Sequence, residues 1–458
     1  MQLTDLQAGP ATISPDVALA SRDPSDAVFE ERRERVARAL NGGVLVLFAA
    51  PELLRNNDVH HDYRQDSDFY YLTGFDEPGA ALVLSGADPA SLTMFVQPKD
   101  KLRETWDGPR LGVADAKLRF KATDVFPIDK LEEELPRLLL GHERLYCRLG
   151  EREEDERRIL HALKHARRAA RRAKLAPTEL VDTSSLIHEM RRIKSDIELA
   201  WMRRAAAITE EAHRLAMRTA KPGVNEYEVE ATLLRTFREK GAERAAYRSI
   251  VGSGANATIL HYIKNNRVMQ EGDLLLIDAG CEYNYYASDV TRTFPVSGKF
   301  TPAQRRIYEI VLRAEEEAIA AAKPGATFDD LHNITVRVIT AALIDLGLIE
   351  GPLDIAIAEE RHKPFYMHSA GHYLGMDVHD VGRYSVAGQP RPLEPGVVLT
   401  VEPGIYIAQD NMDVPEEYRG IGIRIEDDIL ITPDGYENLT AAIPKSVADV
   451  EAAVNLGR

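Results

Sequence analysis

Cysteine is nearly absent from this chain. Of 458 residues only Cys147 and Cys281 are cysteines, far apart in sequence, which excludes a disulfide framework and a thiolate zinc site. Long apolar runs are missing too: no stretch of about 18 apolar residues occurs, and the start lacks a basic segment followed by an apolar core. The expected setting is therefore cytoplasmic, with no membrane partner. Positive charge is in deficit, with 57 Lys and Arg against 73 Asp and Glu and a net charge of −16. Phosphate binding needs a concentrated basic surface, so this balance argues against a nucleic-acid partner. One local exception, residues 161–174, is rich in arginine and strong helix formers. It is expected to be a solvated helix face paired with the acidic run at 151–156.

What is present is the composition of an ordinary globular protein, long enough for two domains with their own cores. Residues 1–28 are polar, broken by Pro10, Pro15 and Pro24, and are expected to form an arm. Residues 29–184 are expected to form an α/β domain, with a helix at 29–36, strands at 43–48, 70–73, 81–84 and 92–96, and helices around 128–140 and 152–173. A second domain is expected over 185–458. Its opening, Ser195-Asp196-Ile197-Glu198, combines a helix cap with an acidic first turn, so a long amphipathic helix should run to Met217.

The second domain repeats itself. Ala220-Lys221-Pro222-Gly223 recurs as Ala322-Lys323-Pro324-Gly325, and the spacing Gly272, Asp278, Gly280 recurs as Gly396, Glu402, Gly404. Two copies of a helix-helix-strand unit are expected, able to share one site between them. In the first copy, Leu274-Leu275-Leu276-Ile277-Asp278 and Val290-Thr291-Arg292-Thr293-Phe294 read as two antiparallel strands. A hairpin symmetric about Tyr283-Asn284 would make Asp278 and Asp289 direct partners, with Cβ atoms roughly 4.5–5.5 Å apart. Two such charges repel by roughly 3–4 kcal/mol at an effective dielectric near 20. Either a cation separates them, or one is protonated, or the register is skewed.

In the second copy, Glu426 lies in a strand-like run in which alternation puts it on the same face as Arg424. Asp278, Asp289, Glu402 and Glu426 thus fall on strands at corresponding places in the two halves. Three of the thirteen histidines, His368, His372 and His379, cluster among glycines and small residues. His261, in an apolar segment, has a core role as its plainer alternative. Four carboxylates and an imidazole form an oxygen-rich set suited to Mn²⁺ or Mg²⁺, with Co²⁺, Fe²⁺ or Zn²⁺ as further candidates. Two ions are the natural count for this many acids.

The segments Ile277-Asp278-Ala279-Gly280, Asp289-Val290-Thr291-Arg292-Thr293-Phe294-Pro295, Gly371-His372, Asp377-Val378-His379-Asp380, Thr400-Val401-Glu402-Pro403-Gly404 and Ile423-Arg424-Ile425-Glu426-Asp427-Asp428 resemble the pita-bread metallopeptidases. The nearest likeness is to the aminopeptidase P family. The resemblance continues into the first domain through Tyr63-Arg64-Gln65-Asp66-Ser67-Asp68-Phe69 and Leu72-Thr73-Gly74-Phe75. It implies an α/β (α+β) protein with an N-terminal α/β domain followed by a pseudo-symmetric pita-bread domain. It also implies a dimanganese centre held by Asp278, Asp289, His372, Glu402 and Glu426, at which a bridging hydroxide attacks the peptide bond before proline. On the same ground His261, His368 and His379 bind substrate or the transition state, Glu402 shuttles a proton, and Arg424 orients neighbouring acids. Trp106, one of two tryptophans, would be lent to a neighbouring subunit of a homodimer or homotetramer, and Tyr366 is a further candidate for substrate contact.

The partners so implied are peptides with proline at the second position. The nearest rival is a prolidase, restricted to dipeptides ending in proline; density of matches in the first domain favours aminopeptidase P. A non-catalytic pita-bread binding protein would be expected to lack a ligand or histidine, and all are present here.

Overall fold

The computed structural model describes residues 26–170 and 175–456, which form two compact units, one reaching His188 and the other starting at Glu189. Most of the arm expected over 1–28, and residues 171–174 of the basic stretch, lie outside the described residues.

The first unit is built on a six-stranded mixed sheet in the order Asp124–Pro127, Ser91–Val96, Ala81–Ser85, Val44–Phe48, Arg144–Cys147 and Glu179–Asp182. The central strands are buried along their whole length, as continuous Val, Leu and Phe runs require when both faces are covered. One expected strand is wrong: residues 70–73 belong to the helix Ser67–Thr73. The Asp66 carboxylate accepts from the Phe69 N–H at its start, and Gly74 closes it in a left-handed conformation; these caps outweigh the β propensity of the tyrosines. The acidic run pairs with Arg148, Arg152 and Arg158, upstream of the basic stretch it was expected to face. Within that stretch, Arg167 donates instead to the Pro177 carbonyl at 2.9 Å.

The second unit carries the expected repeat. Helices Asp196–Thr219 and Glu226–Glu239 are matched by Pro302–Ala321 and Phe328–Asp345, and each of the four starts with a reciprocal capping box. Between the helices of each pair the Pro-Gly turn adopts the same shape: Gly223 and Gly325 both have φ +91°, which only glycine takes without strain. Each copy then supplies a three-stranded antiparallel sheet, Ile250–Ser253, Leu274–Asp278 and Thr291–Pro295 in the first, and Val398–Val401, Asp427–Thr432 and Gly435–Asn438 in the second. Apolar helix faces, including Ala212, Leu233, Phe237, Ile307, Val311 and Ile339, pack with Ile277 and Phe294 into one core. No helix among the described residues is long and apolar enough to cross a membrane.

His213 lies fully buried within this core region, its Nε2 donating to the Ala279 carbonyl at 2.9 Å. Burial, reinforced by Arg292 and only partly opposed by that carbonyl, pulls its pKa down to about 4. The unfolded chain takes up this proton near pH 6.5, whereas the folded one does so only near 4. Stability should therefore be full above about 6.5 and fall by about 3 kcal/mol towards pH 4 on this account. Urea midpoints at pH 7 and 4.5 check it: in His213→Gln the pH-dependent loss should shrink by that amount.

Candidate active site

The two halves of the second unit meet at a cavity of about 860 Å³ lined by Asp278, Asp289, Glu402, Glu426, Arg424, His261, His368, His372 and His379. Its first acid comes from the end of the strand Leu274–Asp278. Asp278 pairs with Thr291, not with Asp289, so the register is two residues away from the expected one. The reason is the turn, which falls on Asn284 and Tyr285, both at positive φ (49° and 66°), as a two-residue hairpin of this kind demands. A shift of two preserves the face. The Tyr247 hydroxyl accordingly reaches both Asp278 Oδ1, at 2.6 Å, and Asp289 Oδ1.

One hydroxyl proton cannot satisfy two carboxylates at once. The remaining acids make the deficit larger. His372 Nε2 lies 3.4 Å from Asp289 Oδ2 and 3.5 Å from Glu402 Oε1, and ligand atoms of Asp289, His372 and Glu426 lie within 4.8 Å of one another. Burial, together with Asp289, Glu402 and Asp278, pushes the Glu426 carboxyl well above its ordinary range. Glu402 is raised to about 7 by burial and by Asp289 and Asp278, against the pull of His372 and Arg424. Although burial disfavours its charged form, His372 is raised to about 9 by Asp289 and Glu402. Carboxylates that resist ionisation because they are buried and crowd each other form a donor set that divalent cations would hold together.

Backbone packing leaves no slack. A Cβ at Gly280 would stand 1.7 Å from the Ser288 carbonyl oxygen, and one at Gly371 would stand 2.0 Å from that of Thr400. Gly280 lets the chain after Asp278 close on its neighbouring segment, and Gly371 does the same just before His372.

The halves also hold each other's acids. Thr291, two residues after Asp289, donates from its hydroxyl to Glu426 Oε2 at 2.7 Å. The Arg292 guanidinium reaches the Glu426 carbonyl at 2.6 Å and Asp427 Oδ1 at 2.6 Å. In return Asp428, two residues after Glu426, accepts from the Asp289 N–H at 3.2 Å and from the Ser288 hydroxyl at 2.8 Å. Each buried acid is thus positioned by the residue two places beyond its counterpart.

Arg424 donates to Asp278 Oδ2 at 2.6 Å, across to the other half, rather than to Glu426. Arg424 and Glu426 do share the cavity and the guanidinium charge acts on that carboxyl, but pairing breaks between Gly422–Arg424 and Asp427–Thr432, and the hydrogen bond goes to Asp278. The guanidinium also donates to the Tyr406 hydroxyl at 2.9 Å, which contacts His368 Nε2 at 2.9 Å. Burial and the Arg424 charge lower His368 to about 4, so its imidazole is neutral. The His379 ring centroid is 4.1 Å from that of His372, and His261 lies on the exposed rim.

Two candidates stand elsewhere. Tyr366 is buried away from the cavity wall, its hydroxyl 3.0 Å from Thr335 Oγ1 and its ring edge-on to His368 at 5.1 Å. Trp106 belongs to the first unit, 80% exposed on the helix Lys101–Asp107, which buries none of its residues. Sequence reasoning missed Tyr247 and Tyr406. Period-two alternation from Glu402 through Gly404 would have found Tyr406; nothing around Tyr247 marks it.

Residues 200–433 match the model of metallopeptidase family M24, and residues 29–146 match the aminopeptidase P N-terminal domain. Xaa-Pro aminopeptidase of Escherichia coli strain K12 is 44% identical over 433 residues, covering 94% of this chain and 98% of that protein. The structure of Pseudomonas aeruginosa aminopeptidase PepP superposes with a TM-score of 0.92 at 47% identity, covering 95% of this chain and 99% of that one. Zinc-substituted E. coli aminopeptidase P in complex with product superposes with a TM-score of 0.92 at 44% identity, covering 96% and 100%.

Proposed function

Because this chain belongs to metallopeptidase family M24, in its aminopeptidase P branch, we propose that it hydrolyses the peptide bond between an N-terminal residue and a following proline. The observation that carries this reading is the convergence of four carboxylates and His372 in one cavity with three further histidines. Asp278, Asp289, His372, Glu402 and Glu426 would hold two divalent ions, manganese being favoured by the hard oxygen donors. When bound, such ions acidify water into the neutral range and polarise a carbonyl oxygen.

The protein's own groups do the rest. The Asp278 and Asp289 carboxylates attract the substrate's terminal amine, and the apolar wall of Ile250, Leu260, Phe328, Val378 and Tyr384 accommodates the rigid pyrrolidine ring. His261 and His379 hold the substrate and donate to the developing oxyanion. A proline nitrogen carries no hydrogen and must gain one to leave as a secondary amine; Glu402 carries that proton. Arg424 and Tyr406 keep Asp278 and His368 in place. Trp106, exposed as it is, suits a contact with another copy in a homodimer or homotetramer.

Mass spectrometry of the Mn²⁺-loaded chain tests this with three peptides: Ala-Pro-Ala, Ala-Ala-Ala and the dipeptide Ala-Pro. Release of alanine from the first is expected, at least about a hundredfold slower from the second, and abolished by a chelator. Cleavage of the dipeptide alone would make the protein a prolidase, and no cleavage of any would leave it a binding protein.

A further inference from the structure

The cavity has a polarity beyond its acid cluster. Its inner end carries the four acids that would hold the metal, and on the proposed reading the substrate's terminal amine sits there. Of the two cations on its wall, Arg424 is buried and committed to Asp278 and Tyr406. The other is Arg248, exposed at the rim. Its one recorded hydrogen bond among the described residues runs to the Ile263 carbonyl at 3.5 Å, the weak limit for such a bond, and no carboxylate pairs with it there. The other charged rim side chain, Asp329, acts on His332, where its charge partly opposes the burial that pulls that imidazole's pKa down.

Arg248 directly follows Tyr247, whose hydroxyl rests on the acid cluster, and leads into the strand Ile250–Ser253 that pairs with the strand bearing Asp278. It is therefore tied to the reacting centre by rigid backbone. A peptide whose amine is held by the inner acids must leave through the open rim, and one or two residues beyond the proline span roughly 3.5–7 Å, the length of an arginine side chain. A planar guanidinium with unmet donors is built to grip a carboxylate in two places.

Resting on the Xaa-Pro aminopeptidase reading, we propose that Arg248 is a specificity-determining residue that binds a carboxylate just downstream of the proline. The preferred substrates are thus short peptides with a free C-terminus, or longer ones with an acidic residue there. Both sources offer the same chemistry.

Four substrates separate them: Ala-Pro-Ala as the free acid and as its C-terminal amide, and Ala-Pro-Glu and Ala-Pro-Gln, both as amides. With the Mn²⁺-loaded full chain, kcat/KM for the free acid should exceed that for the amide by about tenfold if the main-chain carboxylate is bound. The Glu peptide should exceed the Gln peptide similarly if a side-chain carboxylate is. In Arg248→Gln the ratio that was raised should fall to about one; each ratio is internal to one protein, so partial misfolding does not alter it. Binding of Pro-Ala against Pro-Ala amide by calorimetry should show the same preference and its loss. Cleavage of all four at equal rates, or a preference that survives in Arg248→Gln, overturns the role of Arg248 while leaving the aminopeptidase reading intact. No cleavage of any overturns both.

Discussion

Replacing Asp289 by alanine is expected to lower kcat/KM on Ala-Pro-Ala by more than about a thousandfold, because on the proposed reading it would help hold the ions whose acidification of water spans roughly nine pKa units. Asp289 is the acid most entangled with its neighbours. Its carboxylate meets Tyr247 and His372, and its ligand atom groups with those of His372 and Glu426. The fold should survive, since the Asp289 backbone N–H bonds Asp428 whatever the side chain is. Thermal melts separate the effects. At a metal concentration a hundredfold above Kd, the natural chain should gain about 2.7 kcal/mol from Mn²⁺, and Asp289→Ala much less. Equal stabilisation of both would remove Asp289 from the metal centre.

The second large effect concerns a residue that touches no substrate. Asp428→Ala strands the Asp289 N–H and the Ser288 hydroxyl in a buried site, a loss of about 2–4 kcal/mol for two unmet donors. It should also weaken metal binding by roughly 10–100-fold, the usual consequence of removing an outer partner of a ligand. Asp428→Asn keeps one acceptor oxygen and should show a smaller effect on both. Excess Mn²⁺ should restore kcat in Asp428→Ala, as expected for a positioning role. A variant that loses stability yet binds metal like the natural chain would show that Asp428 is merely structural.

The positions of Asp278 and Glu402 could be read because duplication puts them at equal spacing from turn glycines, and a spacing survives without knowledge of the fold. The same logic located the helices around the two Pro-Gly turns, which share one backbone shape. What could not be read is whatever depends on the partner half. Alternation places Arg424 near Glu426, whose carboxyl does feel its charge, yet its hydrogen-bond partner, Asp278, lies 146 residues away. The reciprocal hold of Thr291 on Glu426 and of Asp428 on Asp289 was invisible for the same reason. The hairpin register was missed by two residues because alternation fixes the face and leaves the turn free to slide in steps of two. The helix Ser67–Thr73 differs: its cap residues Asp66 and Gly74 are local and legible, and they outweigh the β propensity of the tyrosines between them.

The most direct test is a titration of the metal-stripped chain with Mn²⁺, following bound metal and Ala-Pro-Ala cleavage together. Two ions per chain are expected, with cleavage absent in the stripped protein and complete once both are bound, and with Asp289→Ala failing to reach that stoichiometry. Undiminished cleavage by the metal-free chain would contradict the reading of this cavity as a metallopeptidase centre.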